Sequence, residues 1–193
     1  MADSAAEARV DQHLVVRARL GKDPRAFEQL VRRHQGMVRA QLRRLLHGDH
    51  AAADDLAQEA FLLAWRNLDQ FRGDARFSTW LYRIAYSCFL QLARKKSWPL
   101  GEGGEDDQLA AESLPAPARS IDLQIDFARA MQSLSLGEQS VLLHCVQMGL
   151  NHEEAAYVLD MPLGTVKTHV NRGKAKLKQL LSAWDEDNEG AGS

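Results

Sequence analysis

A stretch rich in proline and acidic residues interrupts the chain near its middle, and it constrains the fold more than any other feature. Residues 97–120 contain Pro99, Pro115 and Pro117, three glycines and the acidic run Glu105-Asp106-Asp107. Like charges repel and proline breaks regular structure, so such a segment buries too little apolar surface to form a core. The sequence therefore predicts a flexible acidic linker between two separately folded parts.

Both flanking parts place apolar residues at steps of three and four, the spacing of a helix that buries one face. A short helix is predicted around Leu14–Ala18, and a second begins at Pro24 after Asp23. A third helix covers residues 51–68. Ser78 or Thr79 is expected to cap a fourth helix that ends near Lys96.

The part after the linker repeats this pattern, with helices predicted from Ile121 to Met131 and from Leu136 to Met148, where Gly149 closes the second. No run in either part alternates as a half-buried strand does. We therefore expect an all-α fold of two small helical domains. The predicted divisions are residues 10–96 (first domain), 97–120 (linker), 121–184 (second domain) and 185–193 (acidic tail).

The net charge of -2 hides a segregated distribution. Residues 1–96 hold 17 Lys and Arg against 11 Asp and Glu, a net charge of +6. Residues 97–126 hold one Lys or Arg against seven Asp and Glu, a net charge of -6. Residues 127–184 hold six Lys and Arg against four Asp and Glu, a net charge of +2. Two basic lobes suit an anionic polymer, although ordinary solvated helical domains can carry similar charge.

Several classes of protein are disfavoured. No apolar run approaches the roughly 20 residues that span a membrane, and the polar, acidic start lacks the order of a signal peptide. We expect a cytoplasmic protein without membrane insertion. Cys88 and Cys145 lie in apolar helical patterns and are predicted to be buried reduced thiols. No catalytic constellation, phosphate loop or metal-ligand spacing appears, so neither an enzyme nor a cofactor is expected.

A helix-turn-helix pattern follows Gly149. Asn151 opens a short helix and Glu154 lies three residues on, as in a capping box. Asp160-Met161-Pro162-Leu163 forms the predicted turn, since Asp tolerates the left-handed conformation that such a turn often needs. A second helix follows, with Val166, Val170, Gly173 and Leu177 on one face.

The other faces of this second helix carry Lys167, Thr168, Asn171, Arg172 and Lys174, and no acid occurs between Met161 and Trp184. Lys and Arg can meet phosphates or guanine edges, while Asn and Thr can read base edges. The helix is therefore predicted to enter the major groove of DNA. A charged amphipathic helix on a bundle surface is the plainer alternative.

Two separate motifs resemble those of extracytoplasmic-function (ECF) sigma factors, in the order in which the family has them. Residues 150–172 resemble the family's region that reads the promoter -35 element. Residues 54–65 look like its polymerase-binding helix, and residues 71–85 look like its -10 loop and following helix. Together the resemblance covers most of residues 25–96 and 121–181.

The resemblance implies a transcription initiation factor that binds core RNA polymerase and places it on promoter DNA, with an anti-sigma factor as a further partner. The residues it assigns to polymerase are Asp54, Asp55, Gln58 and Glu59. Those assigned to the -10 element are Phe71, Arg72, Gly73, Asp74, Ala75, Arg76 and Ser87. Those assigned to the -35 element are Thr165, Lys167, Thr168, His169, Asn171, Arg172, Lys174 and Lys178.

Some of these assignments have alternatives. Acids near a helix N-terminus stabilise the helix itself, which is a second explanation for Asp54 and Asp55. Phe77 and Trp80 fit core packing better than base stacking. His169 stands where the family often has Arg, so it either reads a different base or only supports the helix. Tyr86, Ser87, Leu90, Ser135 and Asp160 also depart from the family's pattern, which bears on the promoter sequence.

A LuxR-type helix-turn-helix regulator is the competing hypothesis, because Thr165-Val166-Lys167-Thr168-His169-Val170 and Lys176-Leu177 fit that motif too. A LuxR-type response regulator would need an α/β receiver domain in the first half of the chain. No strand pattern is found there, which favours the sigma factor.

Overall fold

The computed structural model describes residues 2–46, 48–95, 130–131 and 133–189. Helices α1 to α4 form one compact unit, and most of the later described residues form a second. The described helices are α1 (Ala2–Leu20), α2 (Pro24–Leu45), α3 (His50–Arg66), α4 (Phe77–Lys95), α5 (Leu136–Leu142), α6 (His152–Leu159) and α7 (Leu163–Glu189). The predicted linker and the predicted helix from Ile121 lie outside the described residues, except for residues 130–131.

Helix α1 is longer than the short helix that the sequence predicts. Leu14, Val15 and Ala18 are buried, as the spacing indicates, but the helix extends back to Ala2. Asp11 lies on the same buried face, one turn before Leu14. The predicted start was too late because the residues before Asp11 bear no regular apolar pattern.

Helices α2 and α3 begin where their capping residues place them. The Asp23 carboxylate accepts hydrogen bonds from the backbone N–H groups of Arg25 and Ala26, and Pro24 follows it. The Asp49 carboxylate accepts a hydrogen bond from the N–H of Ala52. The preceding residue, Gly48, has a φ of +90°, and the chain changes direction there. Such caps satisfy backbone donors that the helix itself leaves unpaired.

The start predicted for α4 was wrong. The helix begins at Phe77, and the N–H of Trp80 already donates to the carbonyl of Arg76. Thr79 is 1% exposed and packs in the core, so neither it nor Ser78 caps the helix. The preceding chain forms a short 3-10 turn, Leu68–Gln70, and an irregular loop of residues 71–76.

Helix α5 begins with a capping box: Ser135 Oγ accepts from Glu138 N–H, and the Glu138 carboxylate accepts from Ser135 N–H. The predicted helix to Met148 is present, but its last part, Leu143–Gln147, is wound as a π-helix. Gly149, with a φ of +69°, follows it as predicted.

The helix-turn-helix is built as the sequence predicts. Asn151 and Glu154 exchange two hydrogen bonds of 3.0 and 2.8 Å at the start of α6. Asp160 adopts the left-handed conformation, with a φ of +55°. Helix α7 then runs to Glu189, so its backbone continues through residues 185–189, where we expected a separate acidic tail.

The two cysteines have different environments. Cys88 is buried, and burial together with the nearby negative charge of Glu59 raises its pKa to about 11. Cys145 is only half-buried, so the prediction of a fully buried thiol was wrong for this residue. Burial also raises the pKa of Cys145. Both groups are therefore protonated thiols near neutral pH, which limits their reactivity.

Burial of His144 predicts that the stability of the second unit depends on pH. Its ring is fully buried, and its Nδ1–H donates to the Ser140 carbonyl at 2.6 Å. Burial lowers the pKa of His144 from 6.5 to about 4. Between these values the unfolded chain binds a proton that the folded chain does not, so stability falls with falling pH, by up to about 3 kcal/mol.

We therefore expect the His144→Gln variant to lose less unfolding free energy between pH 7 and pH 5 than the parent chain. Denaturant unfolding at the two pH values measures the difference. The control is His152→Gln, which removes an exposed histidine of the same unit. If both variants lose as much stability as the parent, burial of His144 does not set the pH dependence.

Candidate polymerase and promoter interfaces

The acidic face of α3 lies in the second turn of the helix and beyond. The helix begins at His50, so Asp54 and Asp55 follow its first turn, which contains no acid. Stabilisation by the helix dipole falls off within the first turn. The structure therefore weakens the explanation that these acids serve the helix alone. Asp55, Gln58 and Glu59 are exposed to solvent.

Asp54 differs from its neighbours because its carboxylate is already paired. Arg39 Nε and Arg43 Nη2 of α2 both lie 3.3 Å from its Oδ1, and the side chain is 41% exposed. Part of its charge is compensated within the unit. Asp55 and Glu59, which have no ion pair among the described residues, are the acids of this face most available to a partner.

An apolar groove lies beside the acids. It has a volume of about 470 Å³ between α2 and α3 and includes Phe27, Val31, Phe61, Leu62 and Trp65 in its lining. Leu62 remains 58% exposed and Trp65 36% exposed, although Trp65 packs on Phe27 at a ring distance of 4.9 Å. Exposed apolar surface of this kind beside charged residues is typical of a protein-binding site.

Three aromatic rings hold the loop of residues 71–76. Phe71 lies 5.7 Å from Phe77 and 5.2 Å from Trp80, and these two lie 5.7 Å apart. All three are at most 8% exposed. The rings of Phe77 and Trp80 therefore belong to the core, as we favoured from the sequence. The Phe71 ring is also packed inside, which does not support a direct base contact by this side chain.

The remaining loop residues face outward. Arg72, Gly73, Asp74 and Arg76 are exposed, Ala75 is half-buried, and Ser87 is exposed on α4. Gly73 has a φ of +84°, a conformation that favours glycine, and no other residue would crowd a side chain there. The loop thus presents backbone and charged groups to solvent while its two ends are anchored in the core.

Three hydrogen bonds near this loop, one from Arg19 and two to Asp11, were missed in the sequence analysis. Arg19 Nη1 donates to the Phe71 carbonyl at 3.0 Å, and the buried Asp11 carboxylate accepts from Arg33 Nε and His34 Nε2 at 2.8 and 2.9 Å. Burial works to raise the pKa of Asp11, but the bonds from His34 and Arg33 outweigh it and the pKa lies below its usual value. The position of Asp11, one turn before Leu14 on an apolar face, was a usable signal for a buried carboxylate.

Helix α7 separates a packed face from an exposed one. Val166, Val170 and Gly173 are buried as predicted, and Leu177 is half-buried. A Cβ on Gly173 would lie 2.8 Å from Cδ1 of Leu142, so glycine permits close contact with α5. The exposed residues of the predicted reading face are Lys167, Thr168, Asn171, Arg172, Lys174 and Lys178, and Thr165 is half-buried.

Two predicted reading residues make contacts within the protein. The Thr168 hydroxyl donates to the Gly164 carbonyl at 3.0 Å, which leaves the oxygen of this exposed residue as an acceptor. The half-buried His169 ring packs over α5: a Cβ on Gly137 would lie 3.1 Å from its Nε2. Its Nδ1 is buried without a hydrogen-bond partner among the described residues. This favours a supporting role for His169.

Helix α7 is also tied to α5 by charge. Lys176 Nζ lies 2.9 Å from the carboxylate of Glu138, whose side chain is only 4% exposed. Glu138 is the partner of Ser135 in the capping box of α5, so one carboxylate fixes both the start of α5 and the side of α7. This contact lies away from the reading face and leaves its cations to solvent.

The described residues contain no group of three or more His, Cys, Asp or Glu that could hold a metal ion. Nor does any described helix combine the length and apolar character needed to cross a bilayer. Three candidate sites stand out among the described residues. They are the α3 surface (Asp55, Gln58 and Glu59 with the groove at Leu62 and Trp65), the 71–76 loop and the predicted reading face of α7.

Comparison with known protein families matches both units. Residues 30–99 match the family model of sigma-70 region 2, and residues 124–177 match that of sigma-70 region 4. The RNA polymerase sigma factor NccH of Alcaligenes xylosoxydans xylosoxydans is 33% identical over 180 residues, which cover 90% of this chain and 96% of NccH. The ECF RNA polymerase sigma-E factor of Escherichia coli K12 is 32% identical, over 87% of this chain and 92% of its own.

The chain belongs to the ECF sigma factors. It is a transcription initiation factor that directs RNA polymerase to promoters. The same matches do not support the alternative of a LuxR-type regulator, since both units fit sigma models.

Solved structures of sigma factors share the fold. CnrH, solved in complex with the cytosolic domain of CnrY, aligns with a TM-score of 0.66 and 30% identity, over 90% of this chain and 98% of CnrH. RpoE of Bartonella quintana was solved with the anti-sigma factor NepR. It aligns with a TM-score of 0.62 and 28% identity, over 81% of this chain and 96% of the RpoE chain. The all-α fold with two sigma-type domains is thereby confirmed.

The packing of His169 on Gly137 gives a prediction for this sigma factor. His169→Ala should leave the preferred -35 sequence unchanged and lower the stability of the second unit by about 1–2 kcal/mol, because it removes packing rather than a base contact. Selection of transcripts from a promoter library with a randomised -35 element measures the preference. The comparison is Lys167→Ala, on the exposed face, which should change the preferred -35 sequence. A new preferred base with His169→Ala would instead make His169 a reading residue.

Proposed function

We propose that this sigma factor divides promoter recognition among three surfaces: the reading face of α7 for the -35 element, the 71–76 loop for the -10 element, and the α3 surface for core polymerase. The observation that carries the proposal is the division of α7. The apolar face of α7 is packed against the rest of the second unit. The side chains on its other side, among them several cations and Asn171, are exposed, and the helix carries no acid before residue 185.

At the -35 element, the first turns of α7 carry the reading residues. Lys167, Asn171 and Arg172 are exposed and can form hydrogen bonds to base edges in the major groove. Thr168 offers a methyl group and an acceptor oxygen, since its hydroxyl proton is used within the helix. Lys174 and Lys178 lie further along and are placed to contact phosphates, which orient the protein without discriminating between sequences.

At the -10 element, the loop receives an unpaired base. An unstacked base can be read on its pairing edge, at a cost of a few kcal/mol for unstacking. Gly73 allows the backbone to approach the base closely, and Arg72 and Arg76 can contact phosphates. The packed ring of Phe71 anchors the loop in the core, so the role of this side chain is structural. The exposed loop residues are those that contact DNA directly.

The α3 surface binds core polymerase. Asp55 and Glu59 supply negative charge, and the groove with Leu62 and Trp65 supplies apolar area beside it. Charged groups steer association and select the partner, while buried aromatic residues carry much of the affinity of an interface. A basic helical surface of polymerase would complement this combination.

An anti-sigma protein is the further partner that we propose, since the aligned structures of CnrH and of Bartonella quintana RpoE are complexes with CnrY and with the anti-sigma factor NepR. We also propose that the chain acts in the cytoplasm, where its polymerase is, and performs no catalysis itself. The domain boundaries at residues 96, 121 and 184 and the tether between the domains belong to the same proposal.

Reconstitution tests the function directly. The chain is mixed with core RNA polymerase and a library of genomic fragments, and run-off transcripts are mapped. Transcripts should begin downstream of a shared pair of -35 and -10 elements. Transcription no different from that of core polymerase alone would contradict the proposal.

The α3 assignment gives a charge-reversal prediction. Asp55→Arg with Glu59→Arg should weaken the affinity for core polymerase about a hundredfold, because like charges placed together at an interface cost several kcal/mol. Asp54 is left intact because its reversal would place a third cation beside Arg39 and Arg43. Fluorescence anisotropy of labelled sigma factor measures the affinity.

The matched control is Glu7→Arg with Asp69→Arg, the same charge change at exposed acids of α1 and of the 3-10 turn. It should bind core polymerase as the parent does. Equal losses in the two double variants would show a general charge effect, and the α3 surface would not be the polymerase site.

The division within α7 gives a second prediction. Lys178→Ala should weaken binding about equally on all sequences and reduce the slope of log affinity against log salt by about one. Arg172→Ala should in addition lower discrimination at one or two -35 positions, by roughly 1–3 kcal/mol if it contacts guanine through two hydrogen bonds. Affinities for single-base variants of the element at several salt concentrations distinguish the two. Identical behaviour of both variants would contradict the assignment.

A further inference from the structure

A side chain from α1 holds the backbone of the 71–76 loop. Arg19, in the last turn of α1, donates from Nη1 to the Phe71 carbonyl at 3.0 Å, and this contact is partly buried. The N–H of Phe71 donates to the Leu68 carbonyl at 3.2 Å. Both backbone polar groups of the first loop residue are therefore bonded, one of them to a charged group 52 residues earlier in the chain.

Helix α1 is itself fixed in place, so Arg19 does not move freely. Leu14, Val15 and Ala18 are at most 4% exposed, and the buried Asp11 carboxylate binds Arg33 and His34 of α2. The His34 ring in turn lies 5.3 Å from that of Phe77, at the far end of the loop. Helix α1 thus acts on both ends of the loop: directly at Phe71, and through His34 at Phe77.

We propose that Arg19 is a positioning residue for promoter reading: it orients the Phe71 peptide, and with it the exposed residues 72–76, without touching the DNA. The inference rests on the proposed role of the loop at the -10 element. A hydrogen bond from a guanidinium is among the stronger ones available to a carbonyl, and a loop held in its binding geometry loses less entropy when the base enters.

Arg19 lies in α1, so the proposed positioning of the loop does not come from the segment that matches sigma-70 region 2. The match to sigma-70 region 2 begins at residue 30, after α1 has ended. The residues expected to read the -10 element all lie in or after the loop. Arg19 therefore adds a residue from outside the matched segment to the determinants of specificity.

The experiment uses holoenzyme formed from the full chain and core polymerase. Two promoters share one -35 element and differ at a single -10 base that the loop is proposed to read, and the ratio of their run-off transcripts measures discrimination. Arg19→Ala should lower this ratio about tenfold. Arg19→Lys should restore most of it, because an ammonium can donate to the same carbonyl. Arg9→Ala, which removes an exposed arginine of the same helix, should match the parent.

Further variants give each outcome a distinct meaning. Arg19→Met keeps the length of the side chain and removes the donor, so it decides the matter if Arg19→Ala does not fold. If Asp74→Ala, which changes an exposed loop residue not assigned to phosphates, lowers the ratio and neither Arg19→Ala nor Arg19→Met does, the inference fails alone and the loop assignment stands. If none of these variants changes the ratio, the loop assignment fails and the inference falls with it.

The salt dependence of promoter binding separates positioning from direct contact. The comparison is made in a parent that carries Arg72→Ala and Arg76→Ala and so lacks the phosphate contacts proposed for the loop. In that parent, a residue that only positions the loop should leave the slope of log affinity against log salt unchanged. Loss of a phosphate contact lowers the magnitude of that slope by about one. A reduced slope in Arg19→Ala, with a normal slope in Arg9→Ala, would overturn the positioning role and make Arg19 a DNA contact.

Discussion

Phe71, Phe77 and Trp80 pack their rings together beneath the loop of residues 71–76, and the exposed chemistry of the first unit depends on that contact. A loop that is exposed to solvent has few packing contacts of its own, so its geometry has to be set at its ends. The ring cluster fixes both ends in the core, and the bond from Arg19 adds a directional restraint at Phe71. The residues between these ends are exposed, apart from the half-buried Ala75.

The second unit solves a related problem by close packing of helices. A reading helix has to present long side chains on one face, so the opposite face must approach its neighbour tightly enough to be rigid. Gly173 lets Leu142 come close, Gly137 accommodates the His169 ring, and Lys176 reaches the buried Glu138. Each of these contacts lies on the α5 side of α7. The exposed side chains and the supporting contacts consequently belong to different residues of the same helix.

Sequence patterns predicted the parts of this fold that depend on local chemistry. The caps at Asp23 and Asn151 and the left-handed Asp160 follow from residue type and spacing, and the structure has them. The start of α4 at Phe77 was not predicted, because there the aromatic packing overrides the capping preference of Ser78 and Thr79. The bonds of Asp54 to α2 and of Arg19 to Phe71 join residues far apart in the sequence, and no local pattern reports such pairs.

The departures from the family's pattern in the second unit are compensated by its own structure. Ser135, where the family usually has Pro, caps α5 through a reciprocal bond with Glu138, so the helix start is kept by another chemistry. Asp160, where Gly is usual, takes the left-handed turn, which Asp tolerates better than most residues. His169, where Arg is common, packs against Gly137, and the space for its ring exists because Gly137 has no side chain. Because each change is absorbed within the unit, none of them requires a different fold, and the exposed residues Lys167, Asn171 and Arg172 remain those that we propose for promoter reading.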